Sequence, residues 1–204
     1  GTGLLTNVTL GAVWTYSHPR FTSTLSGGGQ LEDRFFNDYM IIGRGLGPLQ
    51  LNSAGAASTS VRQSQSGIRN QAFYVQDDLL ALSERLFVSA AVRGERSSVN
   101  GYRNGMFYFP RVAASFRWAN PGWKIDEIKF RANYGQSGNQ ANYGDRDVTV
   151  ANYGIISGQT GYGVPGTVGN PNIKPERLAE TEGGIDFSMY RERIHFEITR
   201  FQRN

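Results

Sequence analysis

The sequence predicts an all-β chain of antiparallel ribbons, each with one apolar and one wet face. It favours the wall of a transmembrane barrel over a soluble sandwich. Three observations carry this. Apolar and polar residues alternate with period two through stretch after stretch, as in strands whose two faces meet different surroundings. The links between those stretches alternate long and short, the asymmetry of barrels with long loops on one side of a membrane and tight turns on the other. No run approaches the ~18 apolar residues of a spanning helix, whereas a spanning strand needs only ~9–11 alternating ones.

The alternation is clearest over residues 86–139. Leu86, Val88, Ala90 and Val92 share one face, with Phe87, Ser89, Ala91, Arg93 and Glu95 opposite. Val112, Ala114, Phe116 and Trp118 oppose Arg111, Ala113, Ser115 and Arg117, and Ile128, Phe130, Ala132 and Tyr134 oppose Lys129, Arg131, Asn133 and Gly135. The charges sit opposite the apolar stripe and never inside it.

The first ribbon spans residues 5–17, with Val8, Leu10, Ala12, Trp14 and Tyr16 on one face and Thr9, Gly11, Val13 and Thr15 on the other. Trp14 and Tyr16 close one end of the apolar stripe, where a membrane wall places amphipathic rings. On this strand alone, ordinary core packing is the simpler account. Residues 19–67 read as a long irregular loop with a short local hairpin near 35–42, because glycine clusters at 26–29 and 43–48 and a polar tract at 53–66 interrupt any apolar pattern. The segment Gly43-Arg44-Gly45-Leu46-Gly47 is no dinucleotide fingerprint, lacking the strand before and the helix after.

A strand is expected over 70–80, with Phe73 and Val75 opposite Tyr74 and Gln76. Asp77 and Asp78 break its pattern and in a barrel belong near the periplasmic rim, where a lipid-facing charge costs about 0–1 kcal/mol. They cannot serve as a catalytic pair, since adjacent strand residues face opposite ways. The short link 81–85 makes 86–96 its antiparallel neighbour. Further short links fall at 119–126 and 190–193, a middle-sized one at 97–106, and a second long loop at 137–176. That loop carries Tyr143, Tyr153 and Tyr162 among glycines, chemistry suited to contacting a substrate, although packing of each ring on its neighbours is the simpler account. Gly169-Asn170-Pro171-Asn172 then turns the chain into a strand over 178–190, with Thr181, Gly183, Ile185, Phe187 and Met189 opposite Glu180, Glu182, Gly184, Asp186 and Ser188. The last strand, 194–202, sets Ile194, Phe196 and Ile198 against His195, Glu197 and Thr199. The count is about seven strands, an odd number that cannot close a bacterial single-chain barrel, as expected of a section of a longer protein.

Composition narrows function. The 204 residues include 26 glycines, 12% aromatics and no cysteine, which removes disulfide frameworks and thiolate metal sites. The net charge of +4 is dispersed along strand faces without the clustering that a phosphate backbone requires, so nucleic acid is not an expected partner. His18 and His195 stand far apart without a carboxylate at ligand spacing, and no nucleophile elbow, phosphate loop or zinc motif occurs. Asp145-Arg146-Asp147 lacks the ligand count and glycine of a calcium loop. No catalytic residue, metal or cofactor is expected, and an enzyme is not. The chain opens abruptly in Gly-Thr-Gly-Leu-Leu with no visible signal peptide, as an internal or mature piece would.

Several motifs carry a family resemblance. Arg93 is followed by Ser97-Ser98; Tyr108-Phe109-Pro110 leads into the strand ending at Trp118; and Lys129-Phe130-Arg131-Ala132-Asn133-Tyr134-Gly135-Gln136-Ser137-Gly138-Asn139-Gln140 follows a short turn. Gly169-Asn170-Pro171-Asn172-Ile173-Lys174-Pro175-Glu176 and the run from Glu180 to Ser188 complete the set, with Tyr74-Val75-Gln76-Asp77 a broader strand motif. Together they resemble the barrel of the SusC/RagA-like family of TonB-dependent outer-membrane transporters, clearly over 70–203 and loosely before. The resemblance implies a bacterial outer-membrane location and a barrel of about 22 strands, of which 1–204 would be a partial barrel domain without the plug. It further implies energised import of a large nutrient, a glycan or peptide, with a SusD-like surface lipoprotein above and the TonB system below, reached through the missing plug region. Arg111, Arg117, Lys129, Arg131, Glu182 and Asp186 would then face the lumen, hold the plug or line the path, with an ion pair between Arg131 and Asp186, while both long loops would meet substrate. Two other functions fit the residues alone: a passive porin or structural barrel, and a secreted soluble β-domain binding carbohydrate through its loop tyrosines.

Overall fold

The computed structural model describes residues 1–101 and 105–204, with the side chains of Tyr153 and Ile156 outside that description. Its strands are β1 (Thr2–His18), β2 (Phe21–Leu46), β3 (Ala56–Ala81), β4 (Leu86–Ser97), β5 (Phe107–Gly122), β6 (Ile125–Asn139), β7 (Ala151–Ile156), β8 (Gln159–Gly163), β9 (Glu176–Met189) and β10 (Ile194–Arg203). Eight of them form one antiparallel sheet in the order β1-β2-β3-β4-β5-β6-β9-β10, and β7 pairs with β8 as a separate hairpin.

Every neighbour in the sheet is a sequence neighbour apart from the excursion through β7 and β8, so the sheet is a meander with its connections sorted by length. One end carries the turns 19–20, 82–85, 123–124 and 190–193; the other carries 47–55, 98–106 and 140–175. The long–short asymmetry expected from the sequence is therefore present.

The irregular loop expected over 19–67 is corrected. Pro19 and Arg20 make a two-residue turn between His18 and Phe21, and the chain then runs into β2 and β3, each 26 residues long. The sheet accordingly has eight strands, and β1 runs toward the short turns. Two physical features hid β2 and β3. Gly27, Gly28 and Gly29 read as a loop, yet a Cβ on Gly28 would lie 2.8 Å from the Tyr74 ring and 2.6 Å from the Leu10 carbonyl oxygen. Gly28 is glycine because the ring of its cross-strand partner lies across it. The outer part of β3, Ser58-Thr59-Ser60-Val61-Arg62-Gln63-Ser64-Gln65-Ser66, is polar on both faces, so no apolar stripe marks its period. There β2 and β3 pair only with each other, since β1 stops at Asn37 and β4 begins pairing at Asn70. In the second expected loop, 137–176, β6 runs on to Asn139, β9 starts at Glu176, and the β7–β8 hairpin fills part of the remainder.

Register fixes the faces, because directly opposed residues point the same way. The apolar face carries Trp14, Leu25, Val75, Val88, Val112, Phe116, Phe130, Ile185, Phe187, Phe196 and Ile198. Rings edge it at both ends. Trp14 packs on Tyr16, and Tyr16 and His18 each pack on Phe21, at 5.2–6.4 Å beside the short turns, and Phe73 meets Tyr108 edge-on at 6.3 Å toward the long loops. Asp77 interrupts this face near the short turns, where the Ser23 hydroxyl donates to it at 2.8 Å, and Asp78 points to the other face toward Gln76.

Burial concentrates at the long-loop end. Ser97, Val99 and Asn100 are buried where two loops knot together, and Phe109 is buried separately over Gly138 of β6. The Arg146 guanidinium donates to the carbonyls of Ser98 and Asn100, the Gly101 amide donates to Ile173, and the Asn170 amide donates to Asp145. The motifs around Ser97-Ser98 and Asn170-Pro171, distant in sequence, meet in this junction.

Candidate functional site: the charged face of the sheet

Opposite the apolar face, charged side chains from four strands converge. Lys129 lies between Arg117 on β5 and Asp186 on β9 in register, and Arg131 lies between Ser115 and Gly184. Arg117 pairs with Glu127 at 2.6 Å close to the short turns. Arg131 is the hub. Its guanidinium reaches Asp186 at 3.1 Å and Glu182 at 3.8 Å on β9, then crosses to β10, where it pairs with Glu197 and donates to the Thr199 hydroxyl at 2.7 Å.

That crossing depends on Gly184. A Cβ there would lie 2.8 Å from Arg131 Nε, so glycine leaves the guanidinium its path across the intervening strand, and a larger residue would make the arginine shift. Asn133 extends the network by donating to Glu182 at 3.0 Å. Arg131, Glu182 and Asp186 are each about 30% exposed, so the cluster is half-desolvated and its geometry is held by mutual pairing.

The Arg131–Asp186 ion pair expected from the strand order is thus formed. Arg117, Lys129, Arg131, Glu182 and Asp186 make one contiguous patch. Arg111 shares the face but lies further toward the long loops, opposite Ala91 and Gly135, in a hollow with Arg93, Glu95 and Phe109. Of the loop tyrosines, Tyr143 borders two cavities and is half exposed, whereas Tyr162 is exposed on β8 and lines neither; the side chain of Tyr153 falls outside the described residues.

Sequence reasoning missed Glu127 and Glu197 as partners, and it missed a second polar group altogether. Arg34 pairs with Glu32 at 2.8 Å, Asn70 donates to Glu32 at 2.9 Å, and Arg93 pairs with Glu95 at 3.2 Å. With the loop 140–143 these side chains line a cavity of about 490 Å3. Its signal was present in the period-two spacing of Gln30, Glu32 and Arg34, inside the segment read as loop.

A meander with sorted turns, a ring-edged apolar face and an ion-paired opposite face defines the wall of an outer-membrane β-barrel. A family model described as TonB dependent receptor-like, beta-barrel, matches residues 3–204, and the chain belongs to that family. It lies in the bacterial outer membrane. Among curated relatives, TonB-dependent receptor P26 of Formosa agariphila is 27% identical over 132 residues, 60% of this chain and 13% of that protein. TonB-dependent receptor P39 of the same organism is 24% identical over 179 residues, 82% of this chain and 16% of that protein. The chain therefore spans less than a fifth of either relative. Solved structures share its fold: that of the RagAB peptide transporter superposes with a TM-score of 0.82 at 17% identity, covering 98% of this chain and 23% of that one. The RagAB peptide importer in its open-open state gives a TM-score of 0.81 at 18% identity, with the same coverage.

Proposed function

We propose that this chain is a sector of the barrel wall in an energised importer of large nutrients, with the plug elsewhere in the longer protein. The apolar face meets lipid and the charged face meets the lumen. One observation supports this above the others: the Arg131 network is assembled across three strands, on the face opposite the aromatic girdles. Fixed, half-desolvated charges on a lumen wall suit a surface that must hold a plug and release it, because each contact is polar and exchangeable for water. Lys129, beside Arg117 and Asp186, belongs to the same surface, and Arg111 continues it toward the outer mouth.

The cargo class is a peptide or glycan. The peptide-transporter assignment of RagAB supports the first, and a SusD-like lipoprotein at the long-loop end and the TonB system at the short-turn end are the partners. Tyr143, placed beside the cavity floored by Glu32 and Glu95, is the loop ring best positioned to touch cargo at the mouth, with Tyr153 and Tyr162 further along the same loop.

Arg131→Glu in the full-length protein tests the reading. The variant is expected to insert and to migrate as a folded barrel, while its plug becomes more sensitive to protease and uptake of a labelled peptide mixture falls. Failure of Arg131→Glu to insert, together with normal insertion of Phe130→Asp, would mean that the two faces are assigned the wrong way round.

A further inference from the structure

A second cavity of about 490 Å3 lies at the long-loop end on the apolar side of the sheet, away from the charged network. Arg69 and Gln71 on β3, Arg96 near the end of β4 and Ser98 just beyond it line the cavity, and the loop segment from Tyr143 to Asp147 roofs it. Arg69 and Arg96 point to the same side as Phe73: Gln71 opposes Arg96 in register, and Phe73 opposes Gly94.

The three guanidiniums differ in what they already hold. Arg69 grips Asp33 through Nε at 3.1 Å and Nη2 at 2.6 Å. Arg146 is committed to the Ser98 and Asn100 carbonyls and to Asp147 at 3.2 Å. Arg96 donates from Nε to the neutral amide oxygen of Gln71 and has no carboxylate partner among the described residues. The carboxylates of Asp33 and Asp147 thus answer two of the three cations, and Arg96 is left with the net positive charge of the lining and with its two Nη groups unassigned. A partly buried, oriented guanidinium with spare donors is built for the oxygens of a phosphate.

Depth identifies the source of that phosphate. Phe73 lies over Gly94, where a Cβ would stand 2.6 Å from its ring, and meets Tyr108, forming the upper aromatic edge of the lipid-facing surface. Gln71 and Arg69 are the next residues on that face, each pair of residues rising about 7 Å along the strand. The cavity therefore opens just above the ring level, at the height of lipid headgroups. We propose that it binds the phosphate of an outer-leaflet lipid headgroup, with Arg96 as principal ligand and Arg69 and Ser98 completing the site. The proposal rests on the barrel reading above, which makes this face the lipid-facing one.

The test uses the full-length protein, delipidated in mild detergent and titrated with lipid A while native mass spectrometry counts lipid-bound molecules. Arg96→Gln should weaken retention at least about tenfold, the loss of a charge-assisted hydrogen-bonding group. Arg96→Lys should fall between it and the parent, and Arg200→Gln, on the same face but outside the cavity, should match the parent. Equal retention by the parent and Arg96→Gln overturns the proposal. So does occupation by inorganic phosphate with no advantage for lipid A, which would make this a soluble-anion site. Heat-modifiable migration is followed in parallel. A protein that folds in detergent yet ignores lipid A contradicts the pocket alone, and one that folds without detergent contradicts the barrel as well.

Discussion

Placing one new cation on each face of β6 separates the two sides of the wall energetically. Phe130 opposes Phe116 on β5 and Ile185 on β9, five residues in from the start of β6 on the apolar face, and it is 41% exposed in the chain by itself. That exposed area is what lipid covers. Phe130→Arg puts a charge near the bilayer midplane at about 2–4 kcal/mol and forfeits roughly 1–2 kcal/mol of apolar contact. The sum, about 3–6 kcal/mol, lowers the folding equilibrium by roughly 10²- to 10⁴-fold. Asn133→Lys changes charge equally, three residues away on the other face, beside Glu182, to which Asn133 already donates at 3.0 Å. An exposed pair of that kind shifts stability by no more than about 1 kcal/mol. Urea titration of the full-length barrel in lipid vesicles, read by the mobility of unheated samples, resolves the difference. A Phe130→Arg protein as stable as the parent, or an Asn133→Lys protein that loses several kcal/mol, would refute the assignment of faces.

Two further predictions concern the strands themselves. Gly28→Leu should destabilise the barrel by roughly 1–3 kcal/mol, because the new side chain meets Tyr74 and the Leu10 carbonyl, and Gly28→Leu with Tyr74→Ala should recover part of the loss. If β2 were a loop, as the glycine run suggests, neither change would register in urea titration. Arg191→Gly should stabilise by up to about 1 kcal/mol, since Arg191 has φ of 59° in the turn 190–193; a lower urea midpoint would show that the arginine side chain matters more than its backbone conformation.

How much was legible in the chain depended on whether one face was apolar. β4, β6 and β10 announce themselves through strict alternation, as at Ile128, Phe130 and Ala132, and the Arg131–Asp186 pair followed from strand order alone. Glu197 did not, because its contact requires a guanidinium to span the whole of β9 over Gly184, a path that no pairwise rule describes. β2 and the outer half of β3 were illegible for two reasons. Gly28 serves its neighbour's ring and lowers local strand propensity, and the Ser58–Ser66 tract lacks a greasy side. The clustering of Ser97, Asn100, Arg146 and Asn170 into one buried junction was hidden as well, since it joins loops that share no period.

The central claim is that residues of even and odd register on adjacent strands divide lipid from water along the whole sheet. This segment contains no cysteine, so single cysteines introduced into it can carry a fluorophore each. In full-length protein reconstituted with brominated lipid, probes at Phe130→Cys and Leu25→Cys should be strongly quenched, and probes at Arg131→Cys and Thr24→Cys should not. Quenching at Arg131 and Thr24 instead, or equal quenching at all four, would contradict the account.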